Sequence, residues 1–343
     1  MKWIFLLFSL GIINSCENKK KLKNFTILTN KKVFLPGDTL RISFKKNNIL
    51  EFDSIVYYMD AKKITSVHEI GKKLGDKKIT VKVYKKNNFR ENSVNIRVLS
   101  SLTPKLFTYK ILNEYPHDIQ SYTQGLEFYE NRLFESIGLR GKSALREIEF
   151  KSGKVIRNLP IDDSYFAEGL TLLNEKIYQL TWQSKMGFIY DLESFELIDS
   201  FQYKKSIEGW GLCNDGKFIY KSDGTSKIWV IEPDNLEEID FIQVTTNKSI
   251  ISKINELEWI NGKIYANTYQ FNKDIILIID PETGSVEGVV NFNGLKKKVK
   301  NHPEIDVLNG IAFNKNSKTI FMTGKNWSKL FELQIIENDI SKQ

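Results

Sequence analysis

The sequence predicts an all-β chain: a five-bladed β-propeller preceded by a small immunoglobulin-like β-sandwich. Three observations carry this expectation. From residue 106 onward a frame of roughly 40–45 residues recurs five times, and a full repeat reads as four short strands. Ahead of it, residues 25–100 hold short β-branched and aromatic runs in which apolar and polar side chains alternate. A period of two is what a half-buried strand requires, and some 80 residues of this kind suit a sandwich.

The 343 residues fit two domains better than one, and charge divides them. Residues 17–105 carry 21 Lys/Arg against 8 Asp/Glu, a net of +13, whereas residues 106–343 carry a net of −6. The boundary is placed near Thr103–Lys105, giving a basic domain over 25–102 and a repeat domain over 103–343. A basic domain suits nucleic acid or an anionic surface. Here the lysines alternate with apolar residues along strands, the pattern of a solvated sheet face, so no nucleic-acid partner is read.

The N-terminus reads as an export signal over residues 1–15. Lys2 supplies positive charge, and Trp3 to Ile13 is apolar but too short to span a bilayer. Asn14 and Ser15 then precede Cys16. A cysteine straight after a short apolar run resembles the lipobox of bacterial lipoproteins, although Ile13 and Asn14 depart from its usual residues. Cys16 is the expected lipidation site, and Glu17 to Asn24 the tether. The protein is therefore expected to be exported and anchored to a membrane by lipid, in the periplasm or at the cell surface. With Cys16 lipidated, Cys213 has no partner for an intramolecular disulfide. Two cysteines also exclude a cysteine-based zinc site or redox pair.

In the basic domain, strands are expected over Phe25–Leu28, Thr39–Phe44, Ser54–Met59 and Ile79–Tyr84. Pro36-Gly37-Asp38 and Gly75-Asp76 are read as turns between them. No catalytic constellation is visible there, and the domain is read as a spacer or interaction module.

In the repeat domain one position precedes Gly-Leu or a close variant: Gln124, Glu168, Trp210, Asn255 and Asn309, at steps of 44, 42, 45 and 54 residues. A second strand follows each, marked by Leu133-Phe134, Ile177-Tyr178, Ile219-Tyr220, Ile264-Tyr265 and Ile320-Phe321. The last repeat runs out of chain after its third strand. Phe107–Leu112 precedes the first repeat without a blade of its own and is expected to supply the missing strand beside Lys329–Leu333, covering an open edge.

In a propeller the innermost strands converge on the axis. The residue before Gly-Leu forms one ring there. A second ring lies four residues after the aromatic of each second strand: Gly138, Trp182, Gly224, Tyr269 and Lys325. The frame repeats and the occupants do not, which points to a site. Together the rings offer one carboxylate, one lysine, three amides and three aromatics, the make-up of a small pocket for a small molecule or a peptide terminus. Channel packing alone is the alternative from spacing.

These residues resemble the plant-type glutaminyl-peptide cyclotransferases. The matching strings include Tyr122-Thr123-Gln124-Gly125-Leu126, Phe166-Ala167-Glu168-Gly169-Leu170, Gly209-Trp210-Gly211-Leu212, Asp306-Val307-Leu308-Asn309-Gly310 and Thr323-Gly324-Lys325-Asn326-Trp327. The resemblance covers roughly 107–335. It implies a five-bladed propeller that converts the N-terminal glutamine of peptides or proteins to pyroglutamate with release of ammonia. It also implies a site lined by Gln124, Phe166, Glu168, Trp182, Trp210, Asn255 and Lys325. Two positions depart from the family pattern: Tyr122 stands where Phe is usual, and Tyr269 where Trp is usual.

On this resemblance Glu168 is the expected general acid–base, with Lys325 and Asn255 holding the reacting carbonyl. Gln124, Phe166, Trp182, Trp210, Tyr269, Tyr122 and Asn309 are the expected substrate contacts. No cofactor is called for. Three histidines, of which His117 and His302 are read as structural, give no basis for the zinc chemistry of the unrelated animal-type cyclases. A structural ion is left open. The protein is expected to be a monomer. The rival readings are a non-catalytic propeller lipoprotein that binds a peptide terminus or small ligand in its channel, and a metal-dependent lactonase. A lactonase would want several inward carboxylates where the first ring supplies one.

Overall fold

The computed structural model of the chain describes residues 25–46, 52–270 and 273–338. The signal, Cys16 and the tether lie outside the described residues. The fold is all-β: apart from one 3₁₀ turn at Lys296–Lys298, the described elements are strands.

By contact density the chain forms two compact units. The first holds the described residues of Met1–Asn30, Arg41–Val67 and Lys78–Val94, and the second those of Lys31–Leu40, His68–Lys77 and Asn95–Gln343. In the first unit β1 (Phe25–Thr29) pairs antiparallel with β3 (Thr39–Lys46). There too β4 (Ser54–Met59) pairs antiparallel with β5 (Lys62–Ile64) and with the later part of β7 (Gly75–Lys85). In the second unit the short β2 (Val33–Phe34) runs parallel to the end of β8 (Asn88–Val98). Ile79, Val81 and Val83 are buried while their neighbours in β7 are more exposed, the period of two read from the sequence. The expected turn at Gly75-Asp76 is corrected: these residues open β7, and Asp76 pairs with Arg97 through a hydrogen bond of 2.7 Å.

In the second unit, β9 (Lys105–Pro116) is followed by antiparallel meanders of four strands. The first runs through β10 (Thr123–Tyr129), β11 (Arg132–Ile137), β12 (Ala144–Glu149) and β13 (Lys154–Pro160). The next comprises β14 (Ala167–Leu173), β15 (Lys176–Thr181), β16 (Met186–Asp191) and β17 (Leu197–Gln202). Then come β18 (Leu212–Asn214), β19 (Ile219–Ser222), β20 (Lys227–Ile231) and β21 (Glu238–Gln243). They are followed by β22 (Ile254–Ile260), β23 (Lys263–Thr268), β24 (Ile275–Ile279) and β25 (Val286–Asn291). The last is β26 (Leu308–Asn314), β27 (Thr319–Gly324) and β28 (Lys329–Glu337), completed by β9. Acids at the ends of third strands make the following turns: Asp191 accepts the backbone N–H groups of Glu193 and Ser194, and Asp280 accepts that of Thr283.

The first strands β10, β14, β18, β22 and β26 neighbour one another in that order, and β26 returns to β10. They approach to backbone contact, which is why the motif carries glycine. A Cβ on Gly169 would lie 2.6 Å from Leu212 N and from Trp210 O. One frame breaks the rule. Glu256 stands in the glycine position of β22, and its buried carboxylate accepts the backbone N–H of Ile311 at 3.0 Å and of Leu126 at 3.4 Å. A side chain there binds the first and last meanders from inside.

The ends of the ring are joined by β9, as expected, with a longer and shifted register. Lys329–Glu332 pair with Asn113–Pro116, and Phe107–Ile111 pair with Leu333–Glu337. Residues 105–107 also run parallel to β25, so β9 lies between the last two meanders. Phe107, Tyr109 and Ile111 pack on a core that includes Ile276, Val290, Phe292 and Leu333. Nearby, His117 is buried with both ring nitrogens against acceptors, the Trp327 carbonyl at 2.8 Å and Glu135 at 3.0 Å. Burial opposes the imidazolium, but the Glu135 charge and the carbonyl outweigh it and raise its pKa.

The seam makes a paired prediction on one strand. Ile111→Ala should cost about 2–3 kcal/mol, the low end of the range for truncating a core aliphatic. Leu112→Ala, on the exposed face, should stay within about 0.5 kcal/mol. Urea midpoints at constant m-value measure both.

Candidate active site

The register slips in β10, β14, β22 and β26, in each case across the residue before glycine or, in β22, before Glu256. A slip of this kind re-aims a side chain. Gln124, Glu168 and Asn255, with Trp210 ahead of β18, thereby line one cavity of about 180 Å³. Phe166 and Tyr122 join from just before β14 and β10, and Trp182, Tyr269 and Lys325 from just after β15, β23 and β27. Of the residues expected from the sequence, Asn309 alone does not line the cavity. It stands behind, its Nδ2 donating to the Thr123 carbonyl at 2.9 Å and to Gln124 Oε1 at 3.4 Å.

The walls are aromatic. Tyr122 meets Phe166 edge to face at 6.1 Å, Phe166 meets Trp182 at 5.5 Å, and Trp210 meets Tyr269 at 5.8 Å. Tyr269 is hydrogen bonded to Tyr122, whose hydroxyl donates to Asp306 at 3.0 Å. The glycines of the second ring make room for these rings. A Cβ on Gly224 would lie 2.5 Å from Trp210 Cε2, and Gly138 lies against Phe166 in the same way.

The polar groups are few and buried. Glu168, Lys325, Asn255 and Gln124 are each 2–4% exposed. Burial pushes the Glu168 carboxyl well above the usual range; Lys325 opposes this and Glu208 adds to it. Burial pulls the Lys325 ammonium down, while Glu168 and Asp306 push it back up. The ammonium lies over the rings of Tyr122 and Tyr269, at 4.6 and 5.0 Å from their centres. Asn255 Oδ1 is buried without a hydrogen-bond partner among the described residues. Such an arrangement presents a buried carboxyl, a cation and a hydrogen-bond acceptor inside an apolar box.

Sequence reasoning missed two acids. Asp306 holds Tyr122, and Glu208 accepts the indole N–H of Trp182 at 2.7 Å and of Trp210 at 2.8 Å. Glu208 sits two residues before Trp210, outside both repeat positions. The only signal for it was its place in the string Glu208-Gly209-Trp210-Gly211-Leu212.

Residues 84–335 match the family model described as glutamine cyclotransferase. The chain belongs to that family. The match starts ahead of the repeats, inside β7, and so reaches further toward the N-terminus than the resemblance read from motifs. A glutaminyl-peptide cyclotransferase of Arabidopsis thaliana is 38% identical over 237 residues, 68% of this chain and 73% of the plant protein. The crystal structure of Myxococcus xanthus glutaminyl cyclase is similar at a TM-score of 0.64 and 36% identity, over 69% of this chain and all of the bacterial one.

In this cyclotransferase Gly224 of the second ring makes a prediction for which Gly216, outside the ring, is the control. Gly216 and Gly224 both have positive φ, 88° and 74°, but a Cβ on Gly216 meets open space. Gly216→Ala should cost about 1 kcal/mol from backbone strain alone. Gly224→Ala should cost a further 1–3 kcal/mol or so from displacing Trp210. Equal denaturation midpoints would show that the indole moves freely.

Proposed function

We propose that the cavity receives the N-terminal glutamine of a peptide or protein. The protein is a glutaminyl-peptide cyclotransferase, an acyltransferase that turns this residue into pyroglutamate and releases ammonia. The observation that carries the reading is one buried carboxyl, Glu168, facing Lys325 and Asn255 in an aromatic box that holds roughly six water volumes, room for one residue.

The chemistry is intramolecular. The α-amine nitrogen bonds to the side-chain amide carbon, the bond from that carbon to the amide nitrogen breaks, and ammonia leaves. An α-ammonium has a pKa of ~8 and must lose a proton to attack. As the resulting neutral amine attacks, the Glu168 carboxylate takes one of its two protons and passes it to the departing nitrogen, so neutral amine gives lactam and ammonia with no further proton exchanged. A group poised above the ordinary carboxylate range is suited to both transfers. Lys325 stabilises the negative charge on the carbonyl oxygen in the tetrahedral intermediate. Asn255 Oδ1, which has no partner among the described residues, accepts from the amine, and Gln124, braced by Asn309, orients the amide. Phe166, Trp182, Trp210, Tyr122 and Tyr269 hold the side chain folded toward its own amine and keep water from the amide carbon.

The architecture is read in the same way. The cyclic order of four-stranded meanders supports a five-bladed β-propeller as the catalytic body, and the short paired strands before it support an immunoglobulin-like sandwich. Lys2, the apolar run and Cys16 support an exported lipoprotein with a lipid anchor, and we take the protein to be a monomer.

Incubating the purified protein with a glutamine-initiated dipeptide should release ammonia stoichiometrically with pyroglutamyl peptide; no ammonia would refute the activity. Glu168→Gln should lose about 10²–10⁴-fold in turnover with an unchanged melting temperature. Retained turnover would remove Glu168 from the chemistry. Once the ionisation of the substrate amine is allowed for, the acid limb of kcat/KM should lie well above pH 4.5, because burial disfavours the Glu168 anion that must accept the proton. Lys325→Met should move that limb to higher pH, since the cation that supports the anion is gone. A limb unmoved by this change would exclude Lys325 as the partner of Glu168.

A further inference from the structure

The aromatic walls of the cavity form a nearly continuous collar. Trp182, Phe166 and Tyr122 are in edge contact, Tyr122 is hydrogen bonded to Tyr269, and Tyr269 packs on Trp210. The gap in this collar lies between Trp182 and Trp210, which come from successive meanders. There a single atom, Glu208 Oε2, accepts both indole N–H groups, at 2.7 and 2.8 Å. Hydrogen bonds to an ionised acceptor are the strong ones, and two on one oxygen fix the planes of both rings.

The segment carrying Glu208 is itself held. The buried Lys221 ammonium donates to the Glu208 carbonyl at 2.9 Å and to Ser206 Oγ at 2.5 Å, and Glu238 lies 3.5 Å from it. The Gly209 N–H donates to the Trp182 carbonyl at 3.2 Å, and the Trp210 N–H to the Ser222 carbonyl at 3.1 Å. Tyr203 donates to the Trp182 carbonyl at 3.1 Å. A half-buried acid with its backbone anchored from below on Lys221 and its side chain spent on two indoles is built to hold a shape.

We infer that Glu208 is a positioning residue of the reaction, closing the aromatic collar by clamping Trp182 and Trp210 through one carboxylate oxygen. The inference rests on the cyclotransferase reading above. Its role is distinct from that of Glu168, which exchanges the proton. A clamped wall restricts the glutamine side chain to the rotamer in which amine and amide meet, so the loss on removing the clamp falls on kcat more than on KM. Glu208 also contributes a negative charge near Glu168. The other groups around that carboxyl are Lys325 and the hydroxyls of Tyr122, Tyr203 and Tyr269, with Asp306 beside Lys325.

The test uses the full-length protein with a glutamine-initiated dipeptide, comparing wild type, Glu208→Gln and Glu208→Ala. The alanine variant should lose about 10–100-fold in kcat, with a smaller change in KM and altered tryptophan emission. The glutamine variant keeps an oxygen that accepts both N–H groups, so it should recover to within about fivefold of wild type. Its acid limb should move to lower pH, because the charge opposing the Glu168 anion is gone. In a Trp182→Phe/Trp210→Phe background, which lacks both donors, Glu208→Ala should add less than about threefold. The inference is overturned if the alanine variant stays within threefold of wild type, if a folded glutamine variant is as impaired as alanine, or if the effect persists undiminished in the double-phenylalanine background. Should the alanine variant fail to fold, the glutamine variant and the double-phenylalanine cycle still decide. Failure of the wild type to release ammonia would refute the cyclotransferase reading instead, while the emission change on Glu208→Ala reports on the clamp without any turnover.

Discussion

The approach of the innermost strands to backbone contact governs the rest of the second unit. At Gly169 there is no room for a single carbon between β14 and the backbone before and within β18. Strands packed this closely leave little space between them, and side chains find room where the register slips and turns them aside. The slips put Gln124, Glu168 and Asn255 together on one side of the tight layer. Glu256 meets the same constraint from the opposite direction. It fits because its carboxylate replaces a missing contact with two backbone bonds.

The cavity that results concentrates electrostatics by withholding water. In bulk solvent a glutamate and a lysine several ångströms apart hardly sense one another; in a buried box their charges govern each other's protonation. Burial raises Glu168 and lowers Lys325, and each charge partly reverses the shift of the other. The two heads stay apart and have no side-chain hydrogen bonds among the described residues, so the field between them is available to a guest. Aromatic rings line this field because they exclude water at little entropic cost, and their edges and hydroxyls still link one wall to the next.

Much of this was legible because a repeat supplies its own control. Glycine, leucine and the aromatic of the second strand hold still from frame to frame, so the variable neighbours Glu168, Trp182, Trp210 and Lys325 stood out, and the cavity brings them together. Asn309 sits at the same frame position, yet its amide turns to Gln124, a choice that depends on neighbours in another meander. Glu208 and Asp306 lie off the repeating positions, and their partners are side chains brought near only by folding. Asn255-Glu256-Leu257 was read as a close variant of the Gly-Leu frame; the two bonds of Glu256 span the ring and leave no local trace. In the first hundred residues strand type was readable from alternation. The turn at Gly75-Asp76 was misread because Asp76 is stabilised in a strand by Arg97, 21 residues away.

The seam at β9 also sets an order of events in time. A ribosome makes β9 early, and the strand that pairs with it, β28, late: Glu114 and Lys329, which bond across the seam, are separated by 215 residues. Until β28 is made, β9 has only its short parallel contact with β25, and the earlier meanders stand as an open arc with two unsatisfied edges. Closure of so distant a pair is slow, and during it the exposed edges invite pairing with other chains. Lys325 arrives with the last meander, so the open arc lacks one wall of the cavity. The growing chain thus completes the cavity only with the last meander, and a chain ending before it presents the pocket without Lys325.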